Sequence, residues 1–291
     1  MHNILITGGA GSVGRELALT LAAAGHAVRV LDLPQCDFGA FDGVARVEVL
    51  KGGIEDAALL RRAAAGVDSV IHLAALLPPA SERDRATTWA VNVRGTQNVL
   101  EALAGQGAPA HVIFSSSVCV YGDTSREAPP ILAARPPQPV DLYGESKAAA
   151  EALVRAAGLP YTILRISGVA VPAFLAPPAV WPFMPEQRIE YICRADVARA
   201  LARCVGNVAA QGKTLNVAGG PTWQMRGREY VARINELLGL EPHDAAYLDR
   251  PGAFDWYDTA ESQALLDYQC TPFEDFARLL RGAIEAALGG G

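Results

Sequence analysis

Cysteine is sparse and unpatterned in this chain of 291 residues. Cys36, Cys119, Cys193, Cys204 and Cys270 are odd in number and scattered. No Cys-x-x-Cys pair or Cys/His cluster occurs, which excludes a disulfide framework and leaves no metal site to read. Long apolar runs are missing too. None approaches the roughly 20 residues that span a bilayer, so no membrane partner is expected. There is no basic patch, and the net charge is -6. Nucleic acid is therefore not an expected partner. The first residues carry no basic stretch followed by a cleavage site, so no secretory leader is expected. No internal repeat or long polar linker appears. These absences together describe a soluble cytoplasmic protein of one elaborated domain or two lobes.

What is present begins at once. Residues 3–7 form a short apolar strand that runs into Gly8-Gly-Ala-Gly11-Ser12-Val13-Gly14. Residues 15–24 then read as a helix ended by Gly25. Strand, glycine turn and helix present free backbone N–H groups to a pyrophosphate. Glycine serves where the turn is tight and the phosphate comes close. A second strand, 27–31, ends in Asp32. An acid there accepts hydrogen bonds from the adenosine ribose and repels a 2′-phosphate, so NAD is expected over NADP. Strands follow at 44–50 and 67–73, with Gly52-Gly53-Ile54 after the first and Ala74-Ala75 after the second. His72 reads as a packed strand residue. Strands alternating with helices predict an α/β fold, a doubly wound parallel sheet of Rossmann type. Its ligands sit beyond the carboxyl ends of the strands, where the glycine turn, Asp32 and Ala74-Ala75 all fall.

Residues 82–104 read as one long helix carrying Asn92, which ties to a neighbour if buried. A fifth strand, 110–115, ends in Ser115-Ser116-Ser117, whose hydroxyls face the crevice. The proline-rich stretch 126–139 reads as a loop. It leads to a helix bearing Tyr143-Gly-Glu-Ser-Lys147. A Tyr and a Lys four residues apart share one helix face. The nearby ammonium is expected to lower the phenol's pKa. A phenol so tuned exchanges a proton with an alcohol or carbonyl oxygen. Residues 161–165 form a sixth strand.

These segments, in this order, resemble an extended short-chain dehydrogenase/reductase, the family of NAD-dependent epimerases and dehydratases. The resemblance rests on Thr7-Gly-Gly-Ala-Gly-Ser-Val-Gly14, Asp32, His72-Leu73-Ala-Ala75, Asn92-Val-Arg-Gly-Thr96, Ser115 to Gly122, Tyr143 to Lys147 and Leu164-Arg165. It implies that Ser117 is the catalytic hydroxyl and Tyr143 the acid/base. It implies that Lys147 holds the nicotinamide ribose and lowers the tyrosine's pKa. It places Gly8, Gly11, Ser12, Val13, Gly14, Asp32, Ile54, Leu73, Ala74 and Ala75 on NAD, along with Tyr143 and Lys147. It also implies a homodimer through the helices from Glu82 and Leu142, where Ala148-Ala-Ala permits close approach. Two departures stand out. Gly53 replaces an aspartate that contacts adenine, and Ile166-Ser-Gly-Val-Ala-Val-Pro172 replaces the Asn-x-x-Gly-Pro of nucleotide-sugar members.

The last third is expected to carry the substrate. Residues 170–187, with Phe174, Trp181, Phe183 and Met184, read as substrate-facing loops. A strand from Ile189 leads to Asp196-Val-Ala and a helix; a final sheet strand is 213–217 and a helix 228–238. Glycines 289–291 are expected to fray. Residues 1–166, completed by about 189–218, form the NAD-binding unit; 167–188 and 219–291 form a small C-terminal substrate-binding lobe. The stretch between Arg165 and Arg188 is short, and Arg188 is a weak candidate to clamp a diphosphate. A compact small-molecule substrate is expected. The leading expectation is an NAD-dependent oxidoreductase moving a hydride between nicotinamide and a secondary alcohol or its ketone. A second is a sugar or nucleotide-sugar epimerase or dehydratase that keeps its NAD. A third is a non-catalytic cofactor-binding regulator, against which the intact Ser117, Tyr143 and Lys147 argue.

Overall fold

The structure is a computed structural model that describes residues 1–104 and 109–289. The chain opens with β1 (Asn3–Thr7), α1 (Ser12–Ala23), β2 (Ala27–Asp32), β3 (Val47–Lys51), α2 (Ala57–Ala64) and β4 (Ser69–His72). Next come α3 (Arg85–Trp89), α4 (Gly95–Ala104), β5 (His111–Ser117), α5 (Leu142–Ala156) and β6 (Tyr161–Ile166). The remainder is β7 (Gly168–Ala170), β8 (Arg188–Cys193), α6 (Arg194–Cys204), β9 (Lys213–Val217), β10 (Gln224–Arg226), α7 (Gly227–Leu238), α8 (Ala260–Leu266) and α9 (Phe273–Gly289). Gly289 closes α9, and residues 290–291 lie outside the described residues.

The main sheet runs β3-β2-β1-β4-β5-β6-β9, with every pairing parallel. Side chains alternate across each strand. Ile4, Ile6, Val28 and Val30 therefore pack against Leu17, Leu21, Val197 and Leu201 of α1 and α6. Leu5, Leu31, Val70 and Val112 point the other way, onto Leu60, Val99, Leu103 and Val154 of α2, α4 and α5. The strand order reverses between β1 and β4, which opens a crevice at their carboxyl ends.

The expected helix 82–104 is broken. Asp84 accepts from the Thr87 amide at 2.7 Å, so α3 starts after it. Residues Ala90–Arg94 then form a π-helical stretch before α4. Such wide turns re-aim side chains at working sites. Here the turn carries Asn92 inward. Asn92 accepts from Leu76 N at 2.7 Å, and its amide donates to Leu76 O at 3.0 Å and to Ser146 Oγ at 2.9 Å.

β8 belongs to a second sheet, ordered β10-β8-β7. This sheet anchors an aromatic core that corrects the reading of 170–187. Trp181 and Phe183 are buried and face the lobe's interior, not a substrate. Phe183 lies 5.8 Å from Phe254, and Trp181 lies 5.9 Å from Tyr230, both edge to face. Phe174 remains exposed.

Candidate functional site

Two cavities meet at the carboxyl ends of the parallel strands. The larger, about 490 Å³, is lined by Gly8, Gly11, Asp32, Gly53, Ile54, Leu73, Ala74 and Ala75 among others. The second, about 320 Å³, shares Gly8, Gly11, Leu73 and Leu77 with it and continues to Ser12, Val13, Gly14, Ser117 and Tyr143. The shared residues make them one crevice with two ends.

The glycines are set by contact. A Cβ on Gly8, which has φ of +70°, would stand 2.7 Å from Ala74 N. A Cβ on Gly14 would stand 2.5 Å from Gly8 O. α1 starts from Gly11 without a side-chain cap, which leaves its first amides to the crevice. Asp32 accepts from Ala10 N at 2.9 Å and Leu33 N at 2.8 Å. Its carboxylate keeps lone pairs for further donors. This cradle, with uncapped amides at one end and an acid at the other, fits a dinucleotide.

At the reactive end, β5 runs two residues further than expected and delivers three serines. Ser116 and Ser117 point opposite ways. Ser116 Oγ donates to Glu151 Oε1 at 2.6 Å and is buried under α5. Ser117 Oγ accepts from Cys119 N at 3.2 Å and also interacts with the Tyr143 phenol. Lys147 stands behind the wall. Its Nζ donates to Ser115 O at 2.8 Å and lies 5.9 Å from the Tyr143 ring centre.

The expected lowering of the tyrosine's pKa is corrected. Burial pushes the Tyr143 phenol up, with the neighbouring Cys119 adding to it, and outweighs the Ser117 hydrogen bond. Lys147 is itself pulled down to about 8 by burial, against the attraction of Glu151. Desolvation disfavours both charges and is the largest cause of each shift. His72 is a packed residue as expected. Its ring bridges Thr7 Oγ1 at 2.6 Å and Thr96 Oγ1 at 2.9 Å, and burial takes its pKa down to about 3.

Several supporting groups had no sequence signal strong enough to single them out. Glu82 accepts from Tyr143 N and Leu142 N, both at 3.0 Å, and Asp141 accepts from Gly144 N at 2.7 Å. Together they cap α5 at the tyrosine. Ser146 Oγ donates to Tyr143 O at 2.7 Å, which links that carbonyl to Asn92. Glu151, one turn beyond Lys147, is paired with the buried Arg165 at 2.9 and 2.8 Å. Arg188 is not free to clamp a phosphate. It is held by Asp255 at 2.5 and 2.9 Å.

The chain is similar to several characterised proteins. It is 36% identical over 178 residues to 3 beta-hydroxysteroid dehydrogenase/Delta 5-->4-isomerase of Mycobacterium tuberculosis, covering 58% of this chain and 47% of that one. It is 34% identical over 269 residues to D-erythronate dehydrogenase of Cupriavidus necator, covering 86% and 77%. The chain thus spans about half the length of the first of these relatives. The solved UDP-glucuronic acid 4-epimerase of Bacillus cereus in complex with NAD shares the fold, with a TM-score of 0.79 at 21% identity over 98% of this chain and 99% of that one. No helix among the described residues is long and apolar enough to cross a membrane. The family model "NAD dependent epimerase/dehydratase family" matches residues 4–218, and with the dinucleotide cradle described above the chain belongs to that family.

Proposed function

We propose that the chain interconverts a secondary alcohol and its ketone, with Tyr143 as acid/base, Ser117 orienting the reacting oxygen and Lys147 supporting the tyrosine. The carrying observation is that Ser117 and Tyr143 share one wall of a cavity continuous with the glycine turn. NAD, when bound, supplies the hydride acceptor in oxidation, and its reduced form the donor in reduction. Burial keeps the Tyr143 phenol protonated at neutral pH, so in the reducing direction it is the group that carries the proton. Its Oη gives a proton to the carbonyl oxygen, and the Ser117 hydroxyl donates a hydrogen bond to the same atom. The phenolate that results is stabilised by the Lys147 ammonium, whose charge counts for more in this dry setting than in water. In oxidation the same proton returns to the tyrosine.

An epimerase or dehydratase would use the same hydride step on a retained NAD. Acting on a nucleotide sugar, it would also need a clamp for a diphosphate, and the pairing of Arg188 with Asp255 favours a compact substrate. The similarity to D-erythronate dehydrogenase over most of both chains points the same way. Incubating the protein with NAD and a panel of hydroxy acids, polyols and nucleotide sugars tests the reading. Accumulation of NADH in solution is the expected result; conversion of a sugar without NADH release would replace it with the epimerase. We further propose a homodimer through α4 and α5, whose outward side includes the partly exposed Ala149 and Leu153. Sedimentation showing a concentration-independent monomer would remove it.

A further inference from the structure

One hydroxyl at the reactive end has no role in the scheme above. Ser167 follows β6 directly and is 4% exposed, yet its Oγ has no hydrogen-bond partner among the described residues. Its amide is engaged, donating to Val217 O at 2.9 Å, so the backbone there is fixed. Buried hydroxyls without partners are disfavoured and uncommon in folded proteins. Ser167 lines the same cavity as Ser117 and Tyr143.

The sheet register gives its distance from the reacting oxygen. Ser117 pairs across from Ile166, so Ser167 stands one residue further along the adjacent strand. Strand spacing and rise put the Cα atoms of the two serines roughly 6 Å apart. Two serines this close that line one cavity, each hydroxyl reaching about 2.8 Å, can hold oxygens on neighbouring carbons. The rest of the wall tells the substrate's character. Leu73, Leu77, Ile166, Val169 and Val171 are aliphatic, and no charged side chain lies on the wall among the described residues. The nearby arginines Arg165 and Arg188 are paired with Glu151 and Asp255. An anionic group beside the reacting carbon would meet no cation on this wall, since Lys147 stands behind it with its Nζ on Ser115 O, and burying the anion would be costly.

Resting on the oxidoreductase reading above, we propose that Ser167 Oγ grips a second, neutral oxygen next to the reacting carbon. The substrate class is then a neutral vicinal hydroxy compound with an aliphatic body lying along Leu77 and Val169.

The test compares wild type, Ser167→Ala and Ser167→Thr on cyclohexanol and on vicinal cyclohexanediol, with NAD. Wild type should favour the diol by about tenfold or more in kcat/KM, the worth of one ordinary hydrogen bond. Ser167→Ala should lose that preference while cyclohexanol turnover stays level. Ser167→Thr, which keeps the hydroxyl, should retain it. The Ala variant should melt at or above wild type, since it loses an unmet polar group. A diol preference unchanged in Ser167→Ala overturns the proposal. So does a drop in NAD affinity of the same size, which would assign the hydroxyl to the cofactor. If neither alcohol is oxidised, the oxidoreductase reading fails on this panel. The grip is then read alone, by titrating cyclohexanediol into the protein–NADH complex and following nucleotide fluorescence. Binding about tenfold weaker in Ser167→Ala supports it; equal binding, or none to wild type, overturns it.

Discussion

A phenol buried as deeply as Tyr143 holds its proton until a partner oxygen needs it. Tyr143→Phe keeps the ring and removes only that proton. We expect kcat to fall by about 10²–10⁴-fold with NAD affinity little changed, measured by steady-state kinetics and by titration of nucleotide fluorescence. Its neighbours on β5 separate cleanly by face. Ser117→Ala should depress kcat in a fully stable protein. Ser116→Ala should instead lower the melting temperature, because it strips a hydrogen bond from the buried Glu151. The reverse pattern would mean that the two serines have exchanged roles. Asp32 governs the cofactor. Its carboxylate faces the wide end of the crevice, so NAD should bind at least about tenfold more tightly than NADP. Asp32→Ala should narrow that ratio, and a ratio that does not move would take Asp32 off the ribose.

At the scale of elements, α5 is the piece whose placement matters most. Two carboxylates meet its first turn, Asp141 from within the chain's path and Glu82 from a distant short turn. Negative charge at a helix N-terminus is favourable, and capping side chains are worth about 1 kcal/mol each. Glu82→Ala should therefore cost about 1 kcal/mol of stability in denaturant titration. It should also reduce kcat, because the amide it holds is that of Tyr143. Neither cap was read from the sequence, and Glu82 acts on Tyr143 from 61 positions away. The same division runs through the whole chain. The glycine turn, Asp32 and the Tyr143–Lys147 spacing are local patterns, and in the structure the turn, Asp32 and Tyr143 line the crevice at the carboxyl ends of the strands. The π-helical stretch around Asn92 and the inward-facing Trp181 and Phe183 depend on partners far along the chain. A phenol's pKa likewise depends on burial, which spacing does not reveal.

Across the whole molecule, Glu190 ties the small sheet to its surroundings. It accepts from Gly220 N at 2.8 Å, Gln224 Nε2 at 3.1 Å and Tyr257 N at 3.0 Å, with no cation among these partners. Burial, only partly offset by those donors, raises its pKa from 4.5 to about 7. A raised folded-state value means stability is greatest below 4.5 and declines as the pH passes through about 7. The decline amounts to roughly 3 kcal/mol at most. Glu190→Gln should flatten this part of the stability–pH profile, measured by denaturant titration across the range. A slope that survives the substitution would assign it to another group.

The main sheet has one further consequence, for anyone who would move this chemistry elsewhere. A gene fragment stopping at Ile166 would encode the glycine turn, Asp32, Ser117, Tyr143 and Lys147. It would lack β9, which pairs with β6 from Thr162 to Ile166. The cut would leave β6 as a bare sheet edge, open to pairing with any other chain. It would also remove α6, which packs on α1 across the same face. The smallest portable version of this site therefore cannot stop at Ile166, and transplanting it means carrying the chain on through β9 to Val217.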